Sequence, residues 1–315
     1  MTTLNDRAAG IAARMIENAA RMRLAVHEIA GATILDCGAV AVGGLDAGLH
    51  LTRLTMADLA EVTLIPGTHD DLAGPAIQVA TDDPVRACLA CQYAGRQIRV
   101  GKYFGMGSGP MRAALGGEAI FDNIPGREES RVVVGAIESR KLPTADVVES
   151  LTAKLPAGTK LTIAVAPASS IAGTVQVVAR ALETALHKLH ALKFDVNQVL
   201  SGIGVAPLPP MHSDEIQAIG RTNDAILYGG EVMLYVQCDD EVIEAVGPQV
   251  PSSSSKDHGE LFADLFARFG DFYKIDPLLF SPAVVTFVNL HSGRQFRYGR
   301  REPALLQRSF FGSSS

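Results

Sequence analysis

Two side chains of opposite charge stand one helical turn apart near the middle of the chain. Arg180 and Glu183 lie in segment 171–192, where apolar residues recur every three or four positions, as in a helix with one buried stripe. The opposite side of this predicted helix carries a polar ridge of Gln176, Arg180, Glu183, His187 and His190. If the ridge lines a cleft, the carboxylate and guanidinium are suited to act on a ligand. From spacing alone, the more common structure is a solvated face with an ordinary ion pair.

The elements around this helix bear on that choice. An apolar run, 161–166, precedes it and predicts a strand, so the helix begins at the carboxyl end of a strand, where open α/β sheets usually bind ligands. A second candidate is the glycine-rich segment 103–112, whose backbone amides could bind an anion or a planar ring. The pattern fits a ligand loop and a tight turn equally well. It lacks both the lysine of a phosphate-binding loop and the glycine spacing of a dinucleotide site.

Predicted strands, among them 32–35, 61–65 and 161–166, alternate with predicted helices, among them 145–155 and a helix near 45–59 that follows a glycine-rich turn and has Asp46 in its first turn. This alternation indicates an α/β fold of two lobes with mixed sheets. The polar, Gly/Pro-broken segment 116–130 suggests a boundary between an N-terminal lobe, 1–125, and a C-terminal lobe, 126–315, that carries the catalytic helix. The C-terminal hairpin, 284–298, is left free to pack on either lobe. Residues 4–29 are expected to form one helix, 202–210 to be irregular, and 221–230 to form a hydrogen-bonded corner after a short helix.

Composition excludes several classes of function. The 315 residues carry a net charge of −6, and no basic run is interleaved with aromatic residues, which argues against a nucleic-acid partner. No stretch reaches the roughly 20 apolar residues of a membrane span, and the N-terminus lacks a signal-peptide core, so we expect a cytoplasmic protein without a membrane partner. Cys88 and Cys91 have redox or zinc spacing, but without a second ligand pair they are expected on a buried helix face.

Five segments in order along the chain carry a resemblance to one family. They are GGLDAG (43–48), YFGMGSGPMRA (103–113), ARALETALHK (179–188), GRTNDAILYGG (220–230) and DFYKIDPLLFSPA (271–283). Together they resemble methenyltetrahydromethanopterin cyclohydrolase, from about residue 10 to about residue 310, and details such as HKLHALKFD resemble the branch found in methylotrophic bacteria.

The resemblance implies two α/β lobes with a large pocket between them and a homo-oligomer, with trimers known in the family. It implies one-carbon chemistry in methylotrophy: reversible hydration of the methenyl bridge of tetrahydromethanopterin to the formyl form, as in formaldehyde oxidation. The pterin is substrate, and no metal or prosthetic group is expected. The family's catalytic arginine and glutamate match Arg180 and Glu183. Asp46, where relatives often carry glutamate, keeps the charge with a shorter reach and is a candidate for substrate binding.

Further candidates for substrate contact are Gly105, Gly107, Ser108, Gly109, Arg221, Asn223, Asp224 and Lys274. For each of them, a purely structural role in its own loop is at least as consistent with the sequence. The alternative functions are a non-catalytic pterin-binding protein of the same fold, a structural subunit that uses Arg180 and Glu183 as an ion pair, and a nucleotide-dependent enzyme. The glycine spacing counts against the last of these.

Overall fold

The computed structural model describes residues 2–67, 74–270 and 274–312. The strands in these ranges are numbered along the chain as β1 (Ala25–Ile29), β2 (Ala32–Asp36), β3 (Glu61–Ile65), β4 (Ala76–Thr81), β5 (Arg96–Val100), β6 (Tyr103–Ser108), β7 (Val132–Glu138), β8 (Lys160–Val165), β9 (Val199–Pro207), β10 (Glu231–Val236), β11 (Val284–Asn289) and β12 (Gln295–Gly299). They form two mixed sheets, and helices accompany them along the chain, so the predicted mixed α/β fold is confirmed.

The helices are α1 (Leu4–Glu17), α2 (Ala19–Met22), α3 (Leu45–Thr55), α4 (Met111–Leu115), α5 (Ala145–Thr152), α6 (Ile171–Val178), α7 (Ala181–Ala191), α8 (Glu215–Gly229), α9 (Asp240–Val246), α10 (Phe262–Phe269) and α11 (Pro303–Phe311). A π-helix, Val85–Gln92, contains the two cysteines at redox spacing. Both cysteines are buried, as the sequence indicates.

The chain divides into two compact units that interleave in sequence. One unit comprises Met1–Ala60 and Val85–Gln176, and the other comprises Glu61–Pro84 and Val177–Ser315. The boundary expected near residue 125 falls inside the first unit, because β7 and β8 join the same sheet as β2 and β6. The C-terminal hairpin β11–β12 belongs to the sheet of the second unit.

The first unit has apolar clusters on both faces of its sheet, whose strand order is β1-β2-β8-β7-β6-β5. β2, β8 and β7 run parallel to one another, and the other pairs are antiparallel. Adjacent strand residues point to opposite faces. One cluster joins α1 and α3 to Leu35, Val134 and Ala164, and the other joins α5 to their neighbours Ile34, Val133 and Ile163.

A buried carboxylate organises the loop that leaves β2. Asp36 is fully buried, and its two carboxylate oxygens accept the backbone N–H groups of Gly38, Ala39, Val40 and Ala41 at 2.7–3.2 Å. Gly43, at φ +64°, has no room for a side chain, since a Cβ there would lie 2.2 Å from the Cys37 carbonyl oxygen. This loop runs directly into α3, as the glycine-rich sequence predicts.

The second unit has a sheet of order β12-β11-β10-β9-β4-β3, in which β10 and β11 run parallel and the other pairs are antiparallel. Strand β9 alternates between half-buried residues and the buried Gly202, Gly204 and Ala206. The prediction of an irregular segment over 202–210 is therefore wrong for residues up to Pro207. Two other predictions also need correction: α8 is one continuous helix rather than a short helix and a corner, and the predicted helix at 4–29 ends before β1.

Candidate active site

The predicted helix over 171–192 is two helices, and Arg180 stands at the break. Arg180 is the N-cap residue of α7, with φ −88° and ψ 4°. Its N–H donates to the Val177 carbonyl at 3.1 Å and its carbonyl accepts from Thr184 N–H at 2.8 Å, so backbone hydrogen bonding continues across the break. Glu183 then lies in the first turn of α7.

Arg180 and Glu183 are buried together. Their side chains are 8% and 5% exposed, and Arg180 Nη1 lies 4.0 Å from Glu183 Oε2. The expectation of a solvated face is wrong for this part of the ridge, because Gln176 is also buried and only His187 and His190 are partly exposed. An ion pair that is removed from water carries far more electrostatic influence than a surface pair.

Two glycines of β9 let the first turn of α7 lie directly on the sheet. A Cβ on Gly204 would lie 2.8 Å from the Leu182 backbone nitrogen, and one on Gly202 would lie 2.8 Å from Leu182 Cδ1. Leu182 is fully buried at this contact. The helix start, and with it Glu183, is therefore placed by an approach that side chains on β9 would prevent.

Glu183 lies close to two sources of positive charge. The first turn of a helix lies at the positive end of the helix dipole, which stabilises a carboxylate. The guanidinium of Arg180 adds a full positive charge on the same turn. The site therefore holds a buried carboxylate that can orient water and accept a proton.

Most of the glycine-rich segment 103–112 is a strand rather than a loop or a tight turn. Tyr103–Ser108 is strand β6, paired with β5 and β7. A Cβ on Gly105 would lie 2.4 Å from Ile137 Cγ2, and one on Gly107 would lie 2.8 Å from Met111 Cε, so both glycines allow close packing.

The end of the same segment is also part of the framework of the first unit. Ser108 is buried, and Gly109 adopts φ +88° while its N–H donates to the Cys91 carbonyl at 2.8 Å. A contact between the substrate and any of the four predicted residues stays a prediction, and their packing already accounts for the glycines.

Asp46 lies in the first turn of α3, where the sequence predicts it. Its side chain is 39% exposed and its carboxylate lies 2.8 Å from Arg21 Nη2 and 3.1 Å from His50 Nδ1. Asp46 is therefore a half-exposed carboxylate with two basic neighbours in its own unit.

Asp224 is buried within the second unit. Its carboxylate accepts Phe262 N–H at 2.9 Å and the Ser309 hydroxyl at 2.6 Å. Burial, only partly offset by these hydrogen bonds, raises the pKa of Asp224 to about 7. The residue ties α8 to α10 and α11, which favours a structural role.

Two other predicted contacts on α8 are engaged by the protein itself. Arg221 donates from Nε to the Ser309 carbonyl at 3.1 Å and from Nη1 to the Pro210 carbonyl at 3.1 Å. Asn223 donates to the Ile219 carbonyl at 2.8 Å. Lys274 is exposed and directly follows 271–273, so the first three residues of the DFYKID motif lie outside the described residues.

A depression on the second unit includes Gly202, one of the two β9 glycines that pack against Leu182. It measures about 300 Å³ and is lined by Ala80, Thr81, Asp82, Ser201, Gly202, Ile203 and Tyr235. The described residues contain no group of three or more His, Cys, Asp or Glu side chains arranged to hold a metal ion. No helix in the described ranges has both the length and the apolar character that crossing a membrane requires.

Comparison with known proteins assigns the chain to a family. Residues 3–310 match the family described as Cyclohydrolase (MCH). The chain is 48% identical over 296 residues to a methenyltetrahydromethanopterin cyclohydrolase of Rhodopirellula baltica, covering 92% of this chain and 89% of the relative. Proteins of the same name from Methylobacterium nodulans and Methanosarcina barkeri are 42% and 40% identical to this chain. Each match covers 98% of this chain, together with 97% of the first relative and 98% of the second. The chain belongs to the MCH cyclohydrolase family.

Proposed function

We propose that this protein catalyses the reversible hydrolysis of methenyl-tetrahydromethanopterin to formyl-tetrahydromethanopterin. Family membership over residues 3–310, with relatives of that name at 40–48% identity, supports the substrate and the reaction. The single structural observation that carries the mechanism is the buried pair of Arg180 and Glu183 at the start of α7.

The methenyl carbon is an amidinium-like cation that bridges two ring nitrogens. In the proposed first step, a water oxygen bonds to this carbon and Glu183 accepts the proton that the water loses. The product of this step is a neutral carbinol adduct. In the second step, one carbon–nitrogen bond breaks, its electron pair goes to the nitrogen, and Glu183 returns the proton to that nitrogen. The adduct's hydroxyl proton leaves to solvent as the formyl C=O forms, so one proton is released overall.

Arg180 has a different role in this scheme. A guanidinium next to a cationic substrate would oppose binding, so Arg180 acts on the carboxylate rather than on the methenyl carbon. It holds Glu183 in one orientation and keeps it ionised until water adds. The Glu183 carboxylate thereby lies between the guanidinium and the methenyl cation, and its negative charge stabilises that cation while water attacks.

Replacement of the carboxylate tests this proposal. Glu183→Gln keeps the shape and the hydrogen-bonding capacity but cannot accept a proton. We expect kcat to fall by roughly 10²- to 10⁴-fold, with substrate binding largely retained. The assay follows the absorbance of the methenyl compound during hydrolysis, with a folate analogue in parallel to define the pterin. Turnover equal to the wild type would refute the role of Glu183.

The same assay separates the proposed enzyme from a non-catalytic pterin-binding protein, which would bind the methenyl compound without hydrolysing it. We also propose that the reaction uses no metal or prosthetic group and that the protein is a homo-oligomer, because the sequence resembles a family with these properties. Turnover after dialysis against a chelator tests the first statement. Light scattering during size-exclusion chromatography tests the second.

A further inference from the structure

The catalytic helix buries a second charged side chain that the proposed chemistry does not use. Lys188 lies on α7 and is 2% exposed. It follows Glu183 by five residues, which places it about 7.5 Å further along the helix and roughly 140° around it. Lys188 therefore occupies the flank of α7 opposite Glu183.

The ammonium group of Lys188 is held by two oxygen atoms from outside the helix. It donates to the Leu278 carbonyl and, at 3.1 Å, to Ser254 Oγ. The Ser254 hydroxyl donates in turn to the Gln249 carbonyl at 2.7 Å, which leaves its lone pairs for the lysine. Burial lowers the pKa of Lys188 to about 8, against the opposing effect of the Asp276 charge.

The turn that receives Lys188 is itself firmly built. The Asp276 carboxylate accepts the Ser255 hydroxyl at 2.6 Å and Leu278 N–H at 3.0 Å. Asp276 N–H donates to Asp257 Oδ2 at 2.9 Å. The lysine is therefore fastened to a turn whose backbone is fixed by its own hydrogen bonds, rather than to a free loop.

A buried ammonium is a costly way to fill this space. Taking a charge out of water carries a large desolvation penalty, which an apolar side chain of similar length would avoid. The hydrogen bonds of the lysine instead limit how far α7 can rotate about its own axis. A small rotation of α7 would move the Glu183 carboxylate on the other flank.

We propose that Lys188 is a positioning residue: it fastens α7 to the Leu278 turn and thereby fixes where the Glu183 carboxylate points. This inference rests on the proposed function, because it requires Glu183 to act on the substrate. Catalysis is sensitive to such placement, since an error of about 1 Å in a reacting group can lower a rate by roughly 100-fold.

Lys188→Met tests the inference, with Lys193→Met as the matched control. Lys193 is exposed and lies two residues beyond α7, so the control makes the same chemical change without touching the anchor. We expect Lys188→Met to lower kcat by roughly 10- to 100-fold while KM changes by less than about threefold. The control should keep the wild-type kcat, and Lys188→Arg, which keeps a donor for Leu278, should recover part of the loss.

Thermal unfolding separates positioning from general destabilisation. Lys188→Met should be fully folded at the assay temperature, with its loss confined to kcat. If it does not fold, Ser254→Ala replaces it and should lower kcat by about threefold or more, since one of the two acceptors is lost. A wild-type kcat in the folded variant, or an equal loss in Lys193→Met, would overturn the inference. If Glu183→Gln were fully active, the proposed function would fail instead, whatever Lys188 does.

Discussion

Asp224 should make the protein less stable as the pH rises from about 4 to about 7. Its folded-state pKa, about 7, lies above the ordinary 3.8 because the carboxyl group is buried between α8, α10 and α11. Between these two values the folded protein binds more protons than the unfolded chain, so the free energy of unfolding falls with rising pH. At about 1.36 kcal/mol per pH unit, the ionisation of Asp224 should make the free energy of unfolding roughly 4 kcal/mol lower above pH 7 than below pH 4.

The substitution Asp224→Asn should remove this slope. The amide cannot ionise, its oxygen still accepts Phe262 N–H, and the Ser309 hydroxyl can rotate to accept from the amide nitrogen. Below pH 4 the variant should be close to the wild type in stability. At pH 8 it should be more stable, by up to about 4 kcal/mol.

Urea denaturation of both proteins at intervals from pH 4 to pH 8 measures the difference directly, because other titrating groups contribute equally to both. Asp122→Asn is the matched control, since that carboxylate is 71% exposed and lies 3.8 Å from Arg127. Its pH profile should run parallel to that of the wild type. Parallel profiles for Asp224→Asn and the wild type would refute the reasoning, since they would mean that Asp224 ionises equally easily in both states.

Two predictions concern the framework around the sites. Gly204→Ala should destabilise the protein by about 1–3 kcal/mol and lower kcat, because the new Cβ would lie 2.8 Å from Leu182 N and push α7 off β9. The control is Gly10→Ala, whose added carbon has nothing within 4 Å, and it should stabilise α1 by up to about 1 kcal/mol. Asp36→Ala should cost at least about 3 kcal/mol in urea denaturation, because the N–H groups of 38–41 lose their shared acceptor; a loss below about 1 kcal/mol would show that water replaces the carboxylate.

Local patterns in the sequence were enough to predict most of the individual elements. The apolar runs at 32–35, 61–65 and 161–166 are strands, and the amphipathic segment 145–155 contains α5. The hairpin over Ser292 and Gly293 also forms as its turn residues indicate. In each case the elements' own residues carry the signal, because period and turn chemistry are local properties.

Glycine spacing predicts the wrong local structure in two segments. Alternate glycines at 105 and 107 suggested a loop, and those at 202 and 204 suggested irregular chain, yet both pairs lie in strands. Each pair admits neighbouring side chains: Ile137 packs against Gly105, and Met111 and Ile98 pack against Gly107. Leu182 packs against both Gly202 and Gly204. Which neighbour approaches is a tertiary fact, so no local pattern distinguishes these glycines from those of a turn.

The interleaving of the two units was also beyond the sequence pattern. Residues 61–84 leave the first unit to supply β3 and β4 to the second sheet, where β4 pairs with β9. The strands β3 and β4 are short and largely apolar, like strands of the first sheet, so their composition does not show which sheet they join. Long-range strand pairing depends on the combined surfaces of distant segments, so a boundary placed at a polar, Gly/Pro-broken stretch did not detect it.

The break between α6 and α7 bears on the charge around the proposed base, Glu183. In an unbroken helix, Glu183 would lie mid-helix, further from the positive end of a helix dipole than it does in the first turn of α7. The break moves a helix N-terminus to this position, and it places Arg180 as the residue that caps it. Burial would otherwise favour the protonated acid, which cannot accept a proton from water. The same local departure from a regular helix therefore sets the location of the proposed base and brings positive charge beside it.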